Sequence, residues 1–290
     1  MPFHTIENVT IGPSRIAFRR HGRGPGLLCI HGWPFHGAGW EPLVAELGEH
    51  FTCLMPDSPG LGASEWSAET DFSMPGHART LRAFMDALGV DRHAVLAHDT
   101  GATIARLMAV DDPARVTALV LLNTEMPGHR PPFVPLFQAT AALPGSGAVF
   151  RWLLARPVFR RSPMGFGGCF HDPSRLDDDF VARYVAPVVA SARRHEGLVR
   201  YLRGIDWALV DRLGEINAAV RCPVRLVWGA DDPTFPVERA RRMATQFPRS
   251  AGIAEIARAR FLVHEERPTE VARETLALLG QVSAPAVAIG

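Results

Sequence analysis

The chain has 290 residues, 47% of them hydrophobic and 21% charged, a composition that suits a globular enzyme with a sizeable core and excludes a disordered or fibrous chain. Its 31 basic and 30 acidic residues leave a formal net charge of +1, so there is no electrostatic footprint for nucleic acid or an anionic membrane. Every basic residue is arginine, which removes a lysine Schiff base and a phosphate-loop lysine from consideration.

The opening MPFHTIENVT has no basic-then-apolar leader. Strands are expected over 16–20 and 27–31, separated by the turn-rich HGRGPG, and over 51–56. A helix over 81–88 stops at Gly89, a strand over 93–98 is followed by a helix over 101–110, and 116–122 is an almost unbroken apolar run. Such a run is what a strand buried on both faces requires. The alternation then lapses. Prolines at 127, 131, 132, 135, 144, 157, 163 and 173 chop the next stretch, and helices are expected over 180–192 and 195–202. Alternation resumes with a strand over 224–228, a helix over 237–247, a strand over 250–256 and a helix over 265–279, and the tail 281–290 reads as frayed. This pattern predicts an α/β core, residues 1–126 and 216–290, with a mainly parallel sheet; 127–215 is too long for a loop and reads as an inserted helical cap. Cys29, Cys53, Cys169 and Cys222 have neither zinc nor disulfide spacing, and no apolar run reaches the ~18 residues of a membrane span. A reducing cytoplasm is the expected location.

Three motifs carry chemistry. Ala97-His98-Asp99-Thr100-Gly101-Ala102 is a strand, a turn flanked by small residues and a helix, the layout of a nucleophile elbow with Asp99 at its tip. Alone, it could equally be an aspartate capping a helix. His31-Gly32-Trp33-Pro34 follows an earlier strand, where a loop of this kind supplies a backbone N–H to an oxyanion hole. The glycine-rich turn DSPGLGAS over 57–64 follows the next strand and has no GxGxxG pattern, which argues against a nucleotide site.

Together these motifs resemble the haloalkane dehalogenase, haloacetate dehalogenase and epoxide hydrolase group of the α/β-hydrolase superfamily. The resemblance extends through 221–232 and 261–271. It implies an α/β-hydrolase core with a helical cap, in which an aspartate attacks carbon to form an alkyl ester and a histidine activates the water that hydrolyses it. Asp99 matches the nucleophile. Gly229-Ala230-Asp231-Asp232-Pro233 matches the segment carrying the acid that orients the histidine, which gives that role to Asp232. His31, Trp33, Pro34 and Thr100 take the oxyanion and substrate-facing positions.

The sequence departs from this group in two places. Aligned through Glu265-Glu266-Arg267-Pro268, the histidine position holds Phe261, and a phenyl ring accepts no proton. His264, the only histidine after Asp232, could serve instead, but it is expected to begin a helix and face solvent. Otherwise Phe261 stops turnover and traps the ester, or Asp99 works as a base or a steering anion in a cyclase, lyase or isomerase; an inactive ligand-binding member is a further alternative. At the second place, Thr100 stands where haloalkane dehalogenases hold halide with a tryptophan, and Arg106 lies a helical turn beyond the haloacetate enzymes' arginines. Epoxide hydrolases use lid tyrosines. Both tyrosines of this chain, Tyr184 and Tyr201, fall in the expected cap, with Tyr201 at a place similar to the second lid tyrosine and Trp152 near the first. Asn123 cannot replace the acid that some dehalogenases carry there, and Glu125 is expected to be solvated. The expectation is an epoxide-hydrolase-like enzyme for a small apolar substrate, without cofactor or metal, as a monomer or homodimer.

Overall fold

The structure, a computed structural model, describes residues 5–280; the tail over 281–290 lies outside the described residues. Strands β1 (Glu7–Ile11), β2 (Ser14–His21), β3 (Gly26–Ile30), β4 (Thr52–Pro56), β5 (His93–His98), β6 (Val116–Leu122), β7 (Val224–Gly229) and β8 (Ser250–Ile256) join in one sheet in the order β1-β2-β4-β3-β5-β6-β7-β8. β3 to β8 are parallel, whereas β1 and β2 pair antiparallel at one edge. The fold is α/β, an eight-stranded and mostly parallel sheet with helices around it.

Side chains alternate across a strand, so each apolar run feeds two cores. Leu28, Ile30, Val95, Ala97, Leu119 and Leu121 enter one buried cluster; Leu27, Cys29, Ala94, Leu96, Val120 and Leu122 enter the other. The second cluster lies under α1 (Glu41–Leu47) and α14 (Pro268–Leu279); the first lies under α2 (Met74–Ala87) and α3 (Thr100–Asp111). β1 and α1 escaped the periodicity. β1 is a half-exposed edge strand with only Val9 and Ile11 to mark it, and α1 is a seven-residue helix.

Between β6 and β7 the described chain carries helices joined by turns and no strand, with the longest non-helical stretches over 123–132 and 161–172. It runs through α4 (Phe133–Thr140), α5 (Ser146–Leu154), α6 (Pro157–Arg160), α7 (Asp178–Phe180), a π-helical turn (Val181–Val185), α8 (Ala186–Ala190), α9 (Ala192–Arg203), α10 (Trp207–Asp211) and α11 (Leu213–Ala219). The single helix expected over 180–192 is broken. Pro187 lacks the N–H that a continuous helix needs, and the π turn precedes it. Beyond β7 lie α12 (Val237–Ala244) and α13 (Val263–Glu266). The helix expected over 265–279 is likewise two helices, because Arg267, before Pro268, is held out of the helical region at φ −133° and ψ 56°.

β3 leads to β4 on one side and, through β4, to β5 on the other. The crevice beyond the carboxyl ends of β3 and β5 is therefore the topological switch point, where α/β sheets place their ligands.

Candidate active site

Asp99 stands at that crevice, between β5 and α3, with φ 53° and ψ −133°. A non-glycine residue there is strained and must be held by its surroundings. The Asp99 N–H reaches the carbonyls of Leu122 and Asn123 at 3.2 Å each; its own carbonyl accepts the Ala102 N–H at 2.9 Å and the Thr124 hydroxyl at 2.8 Å. Two glycines make the turn possible. A Cβ on Gly101 would stand 2.5 Å from the Ile30 and His31 carbonyl oxygens, and one on Gly32 would stand 2.3 Å from the Asp99 carboxylate. The Trp33 N–H donates to Asp99 Oδ2 at 3.0 Å, and the Thr100 N–H also bonds the carboxylate. His31 does not face the cavity. It is buried, with Nε2 accepting the Ser58 N–H at 2.8 Å and Nδ1 donating to the Gly32 carbonyl at 2.9 Å, and so fixes the loop that presents Trp33.

A second carboxyl lies beside the first. Glu125, three residues beyond the end of β6, is buried and lines the same cavity as Asp99, contrary to the solvated position expected for it. Its Oε2 is 2.9 Å from Thr103 Oγ1 and 3.0 Å from Thr124 Oγ1. Arg106 is fully buried on α3 and donates to the Glu125 backbone carbonyl at 3.2 Å. Burial lowers the Arg106 guanidinium only to about 10, so it remains a cation. Burial, then mutual repulsion with Glu125, raises the Asp99 carboxyl; burial also raises that of Glu125. The periodicity could not separate Glu125 from a loop carboxylate, although its place just past the carboxyl end of the neighbouring strand was a usable signal.

Asp232 is the residue expected from the sequence to orient a histidine. It is buried, accepts Asn123 Nδ2–H at 2.6 Å and the Thr234 N–H at 2.7 Å, and is lifted by burial to about 7. Asn123 Oδ1 in turn accepts the Gly229 N–H at 3.0 Å, so the asparagine that cannot be the acid positions the acid. Phe261 lines the cavity with Asp99, its ring 4.5 Å from that of His98 and 5.8 Å from that of Phe235. His98 Nε2 bonds the Phe261 carbonyl at 2.9 Å.

His264 does not face solvent. It is buried at the start of α13, its ring 4.3 Å from Trp40 and 4.7 Å from His98, and it is not among the residues lining the cavity. Burial first, then neighbouring His98, hold it well below the usual histidine range, so it is a neutral core residue.

The two tyrosines separate. Tyr184, on the π turn, lines the cavity but gives its hydroxyl to Glu265 Oε1 at 2.7 Å. Tyr201, on α9, is buried outside the cavity lining, its hydroxyl 3.0 Å from Thr100 Oγ1. Trp152 is 57% exposed and carries Arg156 over its ring. Trp33 and Pro34 line the cavity, along with Phe133, Phe137, Phe150, Phe159 and Phe166 from the helical segment. The indoles of Trp33 and Trp207, both on the wall, are spent: Nε1 of one donates to the Leu198 carbonyl at 3.0 Å and Nε1 of the other to Gln138 Oε1 at 2.6 Å.

The crevice thus sets an aspartate on a strand–turn–helix elbow against the Trp33 N–H. The chain matches the alpha/beta hydrolase fold family over residues 25–266 and belongs to it. It is 28% identical over 272 residues to haloalkane dehalogenase 2 of Mycobacterium tuberculosis, covering 92% of each protein. Among solved structures it is similar to the epoxide hydrolase CorEH, with TM-score 0.79 and 20% identity over 96% of this chain and 99% of that one. It is equally similar to haloalkane dehalogenase DbeA from Bradyrhizobium elkani, with TM-score 0.79 and 20% identity over 96% and 98% of the two chains. Within this family of hydrolases the two structural likenesses speak for the fold.

Proposed function

We propose that the chain is an epoxide-hydrolase-like enzyme that opens an apolar electrophile by attack of Asp99, with the helical segment between β6 and β7 as its cap. The observation that carries this reading is the Trp33 N–H on Asp99 Oδ2, beside the Thr100 N–H. Donors that fix one carboxylate oxygen leave the other to attack carbon in a defined direction. The aromatic wall selects an apolar body and keeps water from the nucleophile.

The ester so formed meets a site with half of its hydrolytic equipment. Trp33 and Thr100 can hold the oxyanion of a water adduct, and Asp232 is in place, but Phe261 takes no proton from water. Slow release of the ester is the consequence. A halide leaving group finds neither indole free to hold it, and this favours an epoxide over a haloalkane. The four buried, unpaired cysteines suit the reducing cytoplasm we propose for it.

Intact-mass spectrometry after incubation with styrene oxide tests the reading. A persistent adduct of the mass of the epoxide, mapped to Asp99, is the expected result; wild-type protein that takes up neither an epoxide nor an alkyl bromide at Asp99 would defeat it.

A further inference from the structure

Glu125 is a buried carboxyl beside the nucleophile that the scheme above leaves unused. Its hydrogen bonds show where a proton resides. Thr124 has one hydroxyl proton, and its shortest acceptor is the Asp99 carbonyl at 2.8 Å. Arg106 Nη2 is directed at the same hydroxyl oxygen from 3.4 Å. Glu125 Oε2 accepts the Thr103 hydroxyl at 2.9 Å and also lies 3.0 Å from that Thr124 oxygen, a contact that is attractive when Glu125 carries the proton and donates it. Asp99 is the opposite case, since its carboxylate faces N–H donors that suit an anion. One buried cation, Arg106, then balances one anion in the pair.

We infer that Glu125 is the catalytic acid of this site and that the electrophile is an epoxide, whose ring opening needs that proton. The inference rests on the reading of Asp99 as the nucleophile. As Asp99 Oδ1 bonds to the epoxide carbon, the ring C–O bond breaks and its electron pair goes to the ring oxygen. That oxygen takes the proton from Glu125, leaving an ester at Asp99, a neighbouring hydroxyl and a Glu125 carboxylate. A halide departs as a stable anion and needs no acid, so a neutral carboxyl at this position has work to do only with an epoxide. Both lid tyrosines are otherwise engaged, Tyr184 with Glu265 and Tyr201 with Thr100.

The charged and titratable groups facing Glu125 are Asp99 from the elbow, Arg106 from α3 and Tyr201 from α9, with Asp232 acting on Asp99 from beyond β7. Burial keeps Tyr201 above the usual phenol range and Arg106 stays charged to about 10, so neither changes state between about pH 5 and 9.

The test compares single-turnover labelling of Asp99 by styrene oxide and by 1-bromohexane, read by intact mass, in wild type, Glu125→Gln and Glu125→Asp. The ratio of epoxide to bromide labelling should fall roughly 100-fold or more in Glu125→Gln, the lower end of what a positioned acid supplies, and recover in part in Glu125→Asp. In the wild type that ratio should also fall as pH rises and Glu125 loses its proton, a readout that survives if a variant fails to fold. An unchanged ratio in folded Glu125→Gln, a ratio flat with pH, or bromide labelling without epoxide labelling overturns the role of Glu125 while leaving Asp99 as nucleophile. Labelling by neither probe removes the nucleophile itself.

Discussion

The elbow at Asp99 and the side of the site formed after β7 and β8, with Asp232 and the cavity-lining Phe261, differ in how much of the pattern expected from the sequence they carry. At the elbow every supporting contact is present: the strained turn, Gly32 and Gly101 at close approach, the Trp33 donor and the His31 strut. On the other side Asp232 keeps its Asn123 and Thr234 donors, but the side chain they would serve is a phenyl ring. A backbone-built oxyanion site survives changes around it because it depends on chain geometry. A proton relay passes through one side chain and is lost with it.

Experiments that break or sharpen this contrast rank by expected size. Asp99→Ala should abolish ester formation, a loss of at least about 1,000-fold by intact mass, because it removes the cavity-lining carboxylate that the Trp33 N–H holds for attack. Phe261→His should restore release of a diol by about 100-fold or more over wild type in a steady-state assay, since Asp232 already stands ready to orient a histidine. An unchanged rate there would mean that the water route itself is closed.

Asp232 also affects stability. Burial lifts it to about 7, so the folded protein holds this proton more tightly than the unfolded chain does. Its folded state is accordingly undisturbed at acid pH and loses stability as pH rises from the ordinary aspartate range through about 7. Glu265, also lifted by burial to about 7, adds to the same trend. Urea unfolding of the wild type should show the decline, roughly 2–4 kcal/mol from Asp232, and Asp232→Asn should flatten it. Thr100→Val removes the hydroxyl between the Trp33 N–H and Tyr201 and should cost about 1 kcal/mol. The smallest effect is expected for His264→Phe. It should leave Asp99 labelling unchanged, because His264 packs against Trp40 away from the cavity.

The core was largely legible before the structure. The run over 116–122 coincides with β6, since an unbroken apolar run admits few other conformations when a sheet is covered on both faces, and the run over 250–256 coincides with the half-exposed edge strand β8. β1 was not legible, because an edge strand marked only by Val9 and Ile11 buries too little to imprint its period. The helical segment was legible in kind and not in detail; Pro187 and the π turn break its expected helix where local propensity gave no boundary. Motif order singled out Asp99 and Trp33, which line the cavity, and Asp232, which is buried beside Asn123. The placements of Glu125, His264 and Tyr201 were missed, because burial of a polar side chain depends on neighbours distant in sequence.

By itself the sequence determined the α/β core, an aspartate at the elbow and a phenylalanine where a histidine was expected, because these follow from local periodicity and the identity of single residues. Only the tertiary structure decided that Glu125 lines the cavity beside Asp99, that His264 stacks in the core and that both wall indoles are spent. Those facts depend on β5, β6, α3 and α9 meeting at one crevice, where 22 residues of chain separate Thr103 from its acceptor Glu125, 101 separate Thr100 from Tyr201 and 109 separate Asn123 from Asp232.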